Sequence, residues 1–370
     1  MPHPPRSICL LRLSALGDVT HVLPVVHALR EAWPNVAITW VIGKPEHKLL
    51  EGLAGVEFIV VDKNSGWAGL AALRKRLAGR RFDALLLMQL ALRANLLSSA
   101  IRADVRIGYD RGRAKELHGL FVNRRVNALA DAVPESIGES AHRRGIHVLD
   151  ALASFVEPLG LPRSSPVWNF PISADAHAWA AEQLPGTQPT LLISPCSSHA
   201  LRNWLPGRYA AVADHAVARG FRVVLCGGRS ERERSMADTI MQAMHQPALD
   251  LTGRDTLQQL PALLERADIV LSPDSGPVHI ANAVGTRVIG LYACTDPHRS
   301  GPYSDLRWTI DRYPEAAQKF LGKPATELRW GAKIERPGVM DLIEVDAVID
   351  AFDRCAADLD RSNQADGADR

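Results

Sequence analysis

Short runs of valine, isoleucine and leucine alternate along the chain with segments whose apolar residues recur at helical spacing. A parallel sheet that is covered by helices on both faces produces this pattern, because its strands are buried on both sides. The alternation occurs in two series, one in each half of the chain. It therefore predicts an α/β fold with two doubly wound, Rossmann-like domains built on parallel sheets.

The same pattern locates the individual elements. In the first series it predicts strands at 7–13, 37–42, 58–61, 84–88 and 106–109, and helices at 22–33, 66–78 and 94–102. In the second series it predicts strands at 190–194, 222–225, 248–251, 269–272 and 288–292, and helices at 206–218, 230–244, 256–266 and 278–283.

Prolines and serines crowd the interval between the two series, as in a linker. We expect an N-terminal, acceptor-binding domain over residues 1–165 and a C-terminal, nucleotide-binding domain over residues 166–345. Apolar residues at helical spacing over 346–356 predict a C-terminal helix, for which packing back on the first domain is one possible arrangement. The polar residues 357–370 predict a disordered tail.

Composition excludes several classes of protein. The chain has 370 residues, 46% of them hydrophobic, and a net charge of +2, so it can bury two cores and is not a general nucleic-acid-binding protein. Its five cysteines are widely spaced, which argues against a disulfide framework or a zinc site and favours a reducing cytoplasm. We expect neither a signal peptide nor a membrane-spanning helix.

Unusual residues follow the predicted strands, where doubly wound sheets bind their ligands. Two such domains facing one another are expected to form a central cleft. After the strand at 269–272, Gly276 and Pro277 suit a helix start that binds an anion such as a phosphate, with Asp274 and His279 beside it to hold sugar hydroxyls. Ordinary helix capping is the alternative interpretation of this turn.

The first strand ends in a turn that contains Asp18. A carboxylate at a helix entry accepts backbone N–H bonds, which favour its ionised form, and an ionised carboxylate can act as a base. Helix capping again remains the alternative. Gly17 stands without the other glycines of a dinucleotide-binding fingerprint, and the chain has no P-loop motif.

The second half offers further candidates for an anionic ligand. Ser197 and Ser198 carry hydroxyls that can donate to phosphate oxygens, and Arg202 can pair with a diphosphate through two N–H groups. After the next strand, Glu231 follows a glycine turn and could accept both hydroxyls of a ribose. The alternatives are a polar surface loop for the first group and a favourable helix dipole contact for Glu231.

These motifs together resemble the bacterial heptosyltransferases of glycosyltransferase family nine. The likeness runs in order over roughly residues 7 to 300, through Arg12-Leu13-Ser14-Ala15-Leu16-Gly17-Asp18-Val19-Thr20-His21, Ser197-Ser198-His199-Ala200-Leu201-Arg202-Asn203-Trp204, Gly227-Gly228-Arg229-Ser230-Glu231, Asp274-Ser275-Gly276-Pro277-Val278-His279 and Tyr292-Ala293-Cys294-Thr295-Asp296-Pro297.

The resemblance implies the two-domain GT-B architecture and transfer of L-glycero-D-manno-heptose from ADP-heptose to a Kdo or heptose acceptor on lipid A, without a metal or other cofactor. It makes Asp18 the general base and Glu231 the ribose ligand. It assigns the donor diphosphate and sugar to Ser197, Ser198, Arg202, Asp274, Ser275, Gly276 and His279. Two departures are Arg202, where the family has Lys, and Pro277, which removes a backbone donor.

The acceptor side is predicted from a local basic segment. Arg111, Arg113 and Lys115, close to Arg106 and His118, suit an anionic lipid-linked oligosaccharide, and Leu117, Leu120 and Phe121 suit contact with acyl chains or the inner face of the inner membrane. A solvated surface is the alternative. A nucleotide-sugar epimerase and a non-catalytic nucleotide-sugar binding protein remain the competing functions.

Overall fold

The computed structural model describes residues 3–127 and 146–368, with side chains as far as residue 361. The described residues form two compact units, the first ending at Pro171 and the second beginning at Ile172. The first unit thus includes the proline-rich segment in which composition predicts a boundary at residue 165.

The first unit is built on a six-stranded parallel sheet with the strand order β3-β2-β1-β4-β5-β6. Its strands are β1 Ser7–Leu11, β2 Ala37–Gly43, β3 Val56–Val61, β4 Phe82–Leu87, β5 Ala103–Gly108 and β6 Arg124–Arg125. Its helices are α1 Leu16–Thr20, α2 Leu23–Ala32, α3 Lys44–Leu50, α4 Gly66–Arg76, α5 Leu92–Ser98 and α6 Val148–Ala153. The order reverses between β1 and β4, which makes their carboxyl ends the switch point where such sheets bind ligands.

The second unit repeats this arrangement, with the order β12-β11-β10-β7-β8-β9 in a second six-stranded parallel sheet. Its strands are β7 Thr190–Ile193, β8 Arg222–Leu225, β9 Leu249–Asp250, β10 Ile269–Pro273, β11 Arg287–Tyr292 and β12 Ile310–Asp311. Its helices are α7 Ala174–Gln183, α8 Pro206–Ala218, α9 Glu231–Ala243, α10 Leu260–Arg266, α11 Gly276–Ala283, α12 Pro297–Ser300, α13 Tyr313–Leu321 and α14 Val345–Ala368. Here the switch point lies between β7 and β10.

Continuous apolar runs explain why the central strands lie inside. Ile8, Leu10 and Leu11 of β1 and Leu85 and Leu86 of β4 are fully buried, as expected for strands covered on both faces. The prediction of two doubly wound parallel sheets is confirmed.

The C-terminal helix α14 lies in the second unit and is longer than the sequence predicts. It packs within the second unit, where Phe352 lies in the core with its ring centroid 5.0 Å from that of Phe221. It also continues through Ala368, so residues 357–368 are helical rather than a disordered tail, and residues 369 and 370 lie outside the described residues. The apolar stripe explains this extension, because it continues past residue 356 to Leu359, which is 7% exposed.

No helix in the described part of the chain is long and apolar enough to cross a membrane. All five cysteines are unpaired and buried.

Candidate functional site

An ion pair follows β1 at the switch point of the first sheet. Asp18 accepts at Oδ2 from the backbone N–H of Ala15 at 3.0 Å and lies 2.5 Å from Nη2 of Arg12. Ala15 is the N-cap of α1 and Asp18 its third residue, so the carboxylate does cap the helix. Its side chain is still 33% exposed, so it remains accessible to a substrate.

Arg12 is held by the ends of both switch-point strands. Its Nε donates to Ser14 O at 2.8 Å and its Nη1 to Met88 O at 2.5 Å. Burial alone would lower the pKa of Arg12, but the charge of Asp18 and the contact with Tyr109 raise the pKa instead. A permanently charged guanidinium beside Asp18 favours the ionised carboxylate, which is the form a general base needs.

Gln89 links the same two strand ends and was not singled out by the sequence. Its Oε1 accepts from the backbone N–H of Leu13 at 2.7 Å, and its Nε2 donates to Ser14 Oγ at 3.2 Å. These bonds fix the turn that carries Asp18.

The predicted acceptor segment contains exposed and buried cations. Arg111 and Lys115 are exposed, whereas Arg113 is 3% exposed and pairs with Asp110. Arg113 also lies over the ring of Tyr109, 5.2 Å from its centroid, and donates to Asn127 O at 3.2 Å. This burial argues against the acceptor role predicted for Arg113, because its charge is already used inside the loop.

His118 and Arg106 are also structural residues in this segment. His118 Nε2 accepts from the backbone N–H of Tyr109 at 3.1 Å, so the proton lies on Nδ1 and faces Asn95 Oδ1 at 2.9 Å. Burial, together with the nearby charge of Arg125, lowers the pKa of His118 to about 4. Arg106 donates to the carbonyls of Phe121 and Ile101, both at 2.7 Å.

Leu117 and Leu120 project apolar surface near the exposed cations of the segment, with 65% and 79% of their surface exposed. Phe121 is partly buried and packs against the core of the first unit.

In the second unit, Arg202 lies in a cluster with two carboxylates. Its Nη1 is 3.1 Å from Asp274 Oδ2, while its Nε and Nη2 both donate to Glu335 Oε1, at 2.8 and 2.6 Å. His279 Nε2 lies 3.9 Å from Asp274 Oδ1. The structure therefore brings together three of the predicted donor residues and adds Glu335, which no motif indicated because it is 133 residues from Arg202.

The two predicted phosphate-binding serines differ in their surroundings. The Ser197 hydroxyl is buried and donates to Asp274 O at 2.8 Å, which joins the loop after β7 to the loop after β10. Ser198 is exposed. Arg232 supports both serines by donating to Ser197 O at 3.0 Å and Ser198 O at 3.3 Å.

Ser275 is the N-cap of α11, but its side chain does not cap the helix. Its hydroxyl instead lies 2.8 Å from that of Ser272, which in turn donates to Ser194 O at 2.8 Å. Capping by Ser275 is thus excluded as the explanation of this turn. The first-turn N–H groups of α11, beginning at Gly276, point out of the helix end where an anion would bind.

Glu231 is the first residue of α9 and is exposed. The capping of α9 is done by its neighbours: Ser230 Oγ accepts from the N–H of Glu233 at 3.3 Å, and Glu233 Oε1 accepts from the N–H of Gly228 at 2.8 Å. The Glu231 carboxylate therefore does not cap the helix. Its place in the first turn still suits the helix dipole contact, so that alternative and the predicted ribose role both stay open.

The described residues contain no group of three or more His, Cys, Asp or Glu side chains arranged to hold a metal ion. The Asp-x-Asp sequence at 358–360 lies on α14, where Asp358 pairs with Arg287 at 3.4 Å.

Comparison with known proteins places the chain among enzymes of one type. Residues 70–331 match the family described as glycosyltransferase family 9 (heptosyltransferase). The lipopolysaccharide core heptosyltransferase OpsX of Haemophilus influenzae is 41% identical over 345 residues, which cover 93% of this chain and 95% of that protein.

Solved structures share the fold. A glycosyl transferase of family 9 from Veillonella parvula superposes with a TM-score of 0.75 at 23% identity, covering 95% of this chain and 97% of that one. The ADP-heptose lipopolysaccharide heptosyltransferase II of Escherichia coli superposes with a TM-score of 0.68 at 17% identity, covering 96% and 99%.

Proposed function

The chain belongs to glycosyltransferase family 9, the heptosyltransferases, and from this premise we propose which residues carry the reaction. The protein has the GT-B fold and transfers heptose to the inner core of lipopolysaccharide, with ADP-L-glycero-D-manno-heptose as the donor. The polar residues that follow β1 and those that follow β7 and β10 carry this proposal, since both groups lie at switch points of their sheets.

Asp18 is the general base of an inverting transfer. An acceptor hydroxyl oxygen attacks the anomeric carbon, the bond from that carbon to the ADP oxygen breaks, and the hydroxyl proton passes to Asp18 while ADP leaves with the electron pair. The ion pair with Arg12 keeps the carboxylate ionised between turnovers. A base in this position typically accelerates such a step by about 10²–10⁴-fold.

The second unit stabilises the negative charge that develops on ADP. Arg202 and the first turn of α11, which follows Ser275 and begins at Gly276, would meet the diphosphate, and Ser198 would add a hydroxyl donor. Asp274 and His279 would contact the sugar and Glu231 the ribose. Groups aimed at developing charge are typically worth about 3 kcal/mol each, so an arginine and oriented N–H groups can take the place of a metal ion. We therefore propose that the reaction needs neither a metal nor another cofactor.

Arg111 and Lys115 bind the anionic acceptor, which we propose is a Kdo-bearing or heptose-bearing lipid A. Leu117 and Leu120 would contact the membrane surface in which that lipid is anchored. The five unpaired thiols agree with a reducing compartment, so we propose that the enzyme works at the cytoplasmic face of the inner membrane.

A screen of ADP- and UDP-sugars against deacylated core acceptors, run in EDTA, tests this function. We expect ADP release only when ADP-heptose and a Kdo-bearing acceptor are both present, and a product heavier by one heptose in the mass spectrum. A free epimer formed without an acceptor would support an epimerase instead. Binding of the donor without turnover would support a non-catalytic protein, and loss of activity in EDTA would contradict the metal-free mechanism.

A further inference from the structure

Glu335 lies in the segment between α13 and α14, and this segment places its side chain against Arg202. The preceding residue, Ile334, is buried in the core of the second unit, and its backbone N–H donates to Cys294 O at 2.8 Å, just beyond the end of β11. Cys294 itself lies 3.2 Å from Leu201 O through its Sγ. Glu335 is thus anchored to the same loops that hold Arg202.

The contact between the two side chains fixes the orientation of the guanidinium. One carboxylate oxygen, Oε1, accepts from both Nε and Nη2, and Asp274 takes an N–H of Nη1. Among the described residues, these bonds engage three of the five N–H groups of Arg202, and the other two, one on Nη1 and one on Nη2, are the ones that a ligand would meet. Arg202 is only 13% exposed at its side chain, so this orientation is also constrained by packing.

Glu335 is ionised in this cluster. Burial by itself would raise the pKa of Glu335, but the hydrogen bonds and charge of Arg202 outweigh burial and hold the pKa below its ordinary value. An ionised carboxylate repels a diphosphate, so Glu335 does not favour the donor by its own charge. Its contribution must act through the guanidinium that it holds.

We propose that Glu335 is a positioning residue that presents the two remaining N–H groups of Arg202 to the donor diphosphate. This inference rests on the proposed role of Arg202. A lysine could not be held in this way, because its ammonium group lacks the planar fork that meets Glu335.

The test is a double-mutant cycle read by ADP affinity and by kcat and KM for the donor. Glu335→Ala is expected to weaken ADP binding about tenfold, the loss of roughly one charge-assisted hydrogen bond. Glu335→Gln keeps an acceptor oxygen for the guanidinium and should restore part of the loss. In an Arg202→Ala background, Glu335→Ala should no longer weaken ADP binding or lower kcat, and relief of the charge repulsion should leave ADP affinity equal or slightly tighter.

Glu344→Ala is the matched control, because Glu344 also pairs with an arginine of the second unit, Arg208, at 3.3 Å. It should leave ADP affinity unchanged. Equal losses from Glu335→Ala in both backgrounds, or tighter ADP binding by Glu335→Ala alone, would overturn the proposal. If Arg202→Ala itself leaves ADP affinity intact, the failure lies in the proposed diphosphate role of Arg202. Thermal unfolding of every variant identifies any that loses its fold, and Glu335→Gln, which keeps the size of the side chain, carries the test if Glu335→Ala does not fold.

Discussion

At the scale of single residues, burial separates cations that the sequence presents as equivalent. Arg111, Arg113 and Lys115 lie within five positions, but only Arg113 is enclosed, because Asp110 and the ring of Tyr109 lie beside it. The sequence predicted the basic segment but could not predict which of its cations is buried in an ion pair. The sequence also could not predict the role of Glu335, because its partner Arg202 is remote in sequence and the two meet only in the folded chain.

The exposed and buried cations should therefore respond differently to substitution. Arg111→Ala together with Lys115→Ala should raise the KM for the lipid-linked acceptor several-fold and weaken flotation with anionic vesicles, as expected when surface charges are removed. ADP affinity should be unchanged. Arg113→Ala should instead lower the free energy of unfolding by about 3 kcal/mol, because it leaves Asp110 buried without its partner.

Acceptor kinetics and vesicle flotation test the prediction for the double variant, and urea unfolding tests the prediction for Arg113→Ala. Equal loss of acceptor use and ADP binding by the first variant, or an unchanged unfolding curve for Arg113→Ala, would refute the division.

At the scale of elements, the beginnings of two helices in the second unit differ in how they are capped. Helix α9 is closed by Ser230 and Glu233, whereas the N-cap residue of α11, Ser275, turns its hydroxyl to Ser272. The sequence predicted both helix starts, because a serine stands immediately before each of them and glycine lies in the same turn. It could not distinguish the capped start from the uncapped one, since the partner of Ser275 is set by the geometry of the turn. For helix α14, the sequence predicted residues 346–356 but neither its extension to Ala368 nor its packing against the core of the second unit.

The two acidic residues of the first turn of α9 should separate in function. Glu233→Ala should lower the free energy of unfolding by about 1 kcal/mol, because the Gly228 N–H and the Ser230 hydroxyl lose the carboxylate that accepts from them. Glu231→Ala should leave stability nearly unchanged and reduce ADP affinity about tenfold, because a charged acceptor for the ribose is lost.

Calorimetric ADP titration and thermal unfolding of both variants provide the comparison. The ribose assignment fails if Glu231→Ala binds ADP as the parent does, and the capping assignment fails if Glu233→Ala unfolds at the parent temperature.

At the scale of the whole molecule, two sheets of the same strand order supply two different chemistries. The first unit offers the Asp18 carboxylate, paired with Arg12, after β1, and the second offers a guanidinium and a helix N-terminus after β7 and β10. The repeated hydrophobic pattern was enough to predict both sheets, because strands that are buried on both faces appear in the sequence as continuous apolar runs. It did not reveal the supporting contacts of Arg12, Gln89 and Arg232, which depend on strand ends that meet only in the folded chain.

The most direct test of Asp18 as the base is the rate of single-turnover heptose transfer by Asp18→Asn to a Kdo-bearing acceptor. The affinity of the same variant for ADP-heptose is measured alongside. The amide keeps the size of the side chain but cannot take a proton, so the account predicts a rate lower by about 10²–10⁴-fold with unchanged donor affinity. Transfer at the parent rate would contradict it.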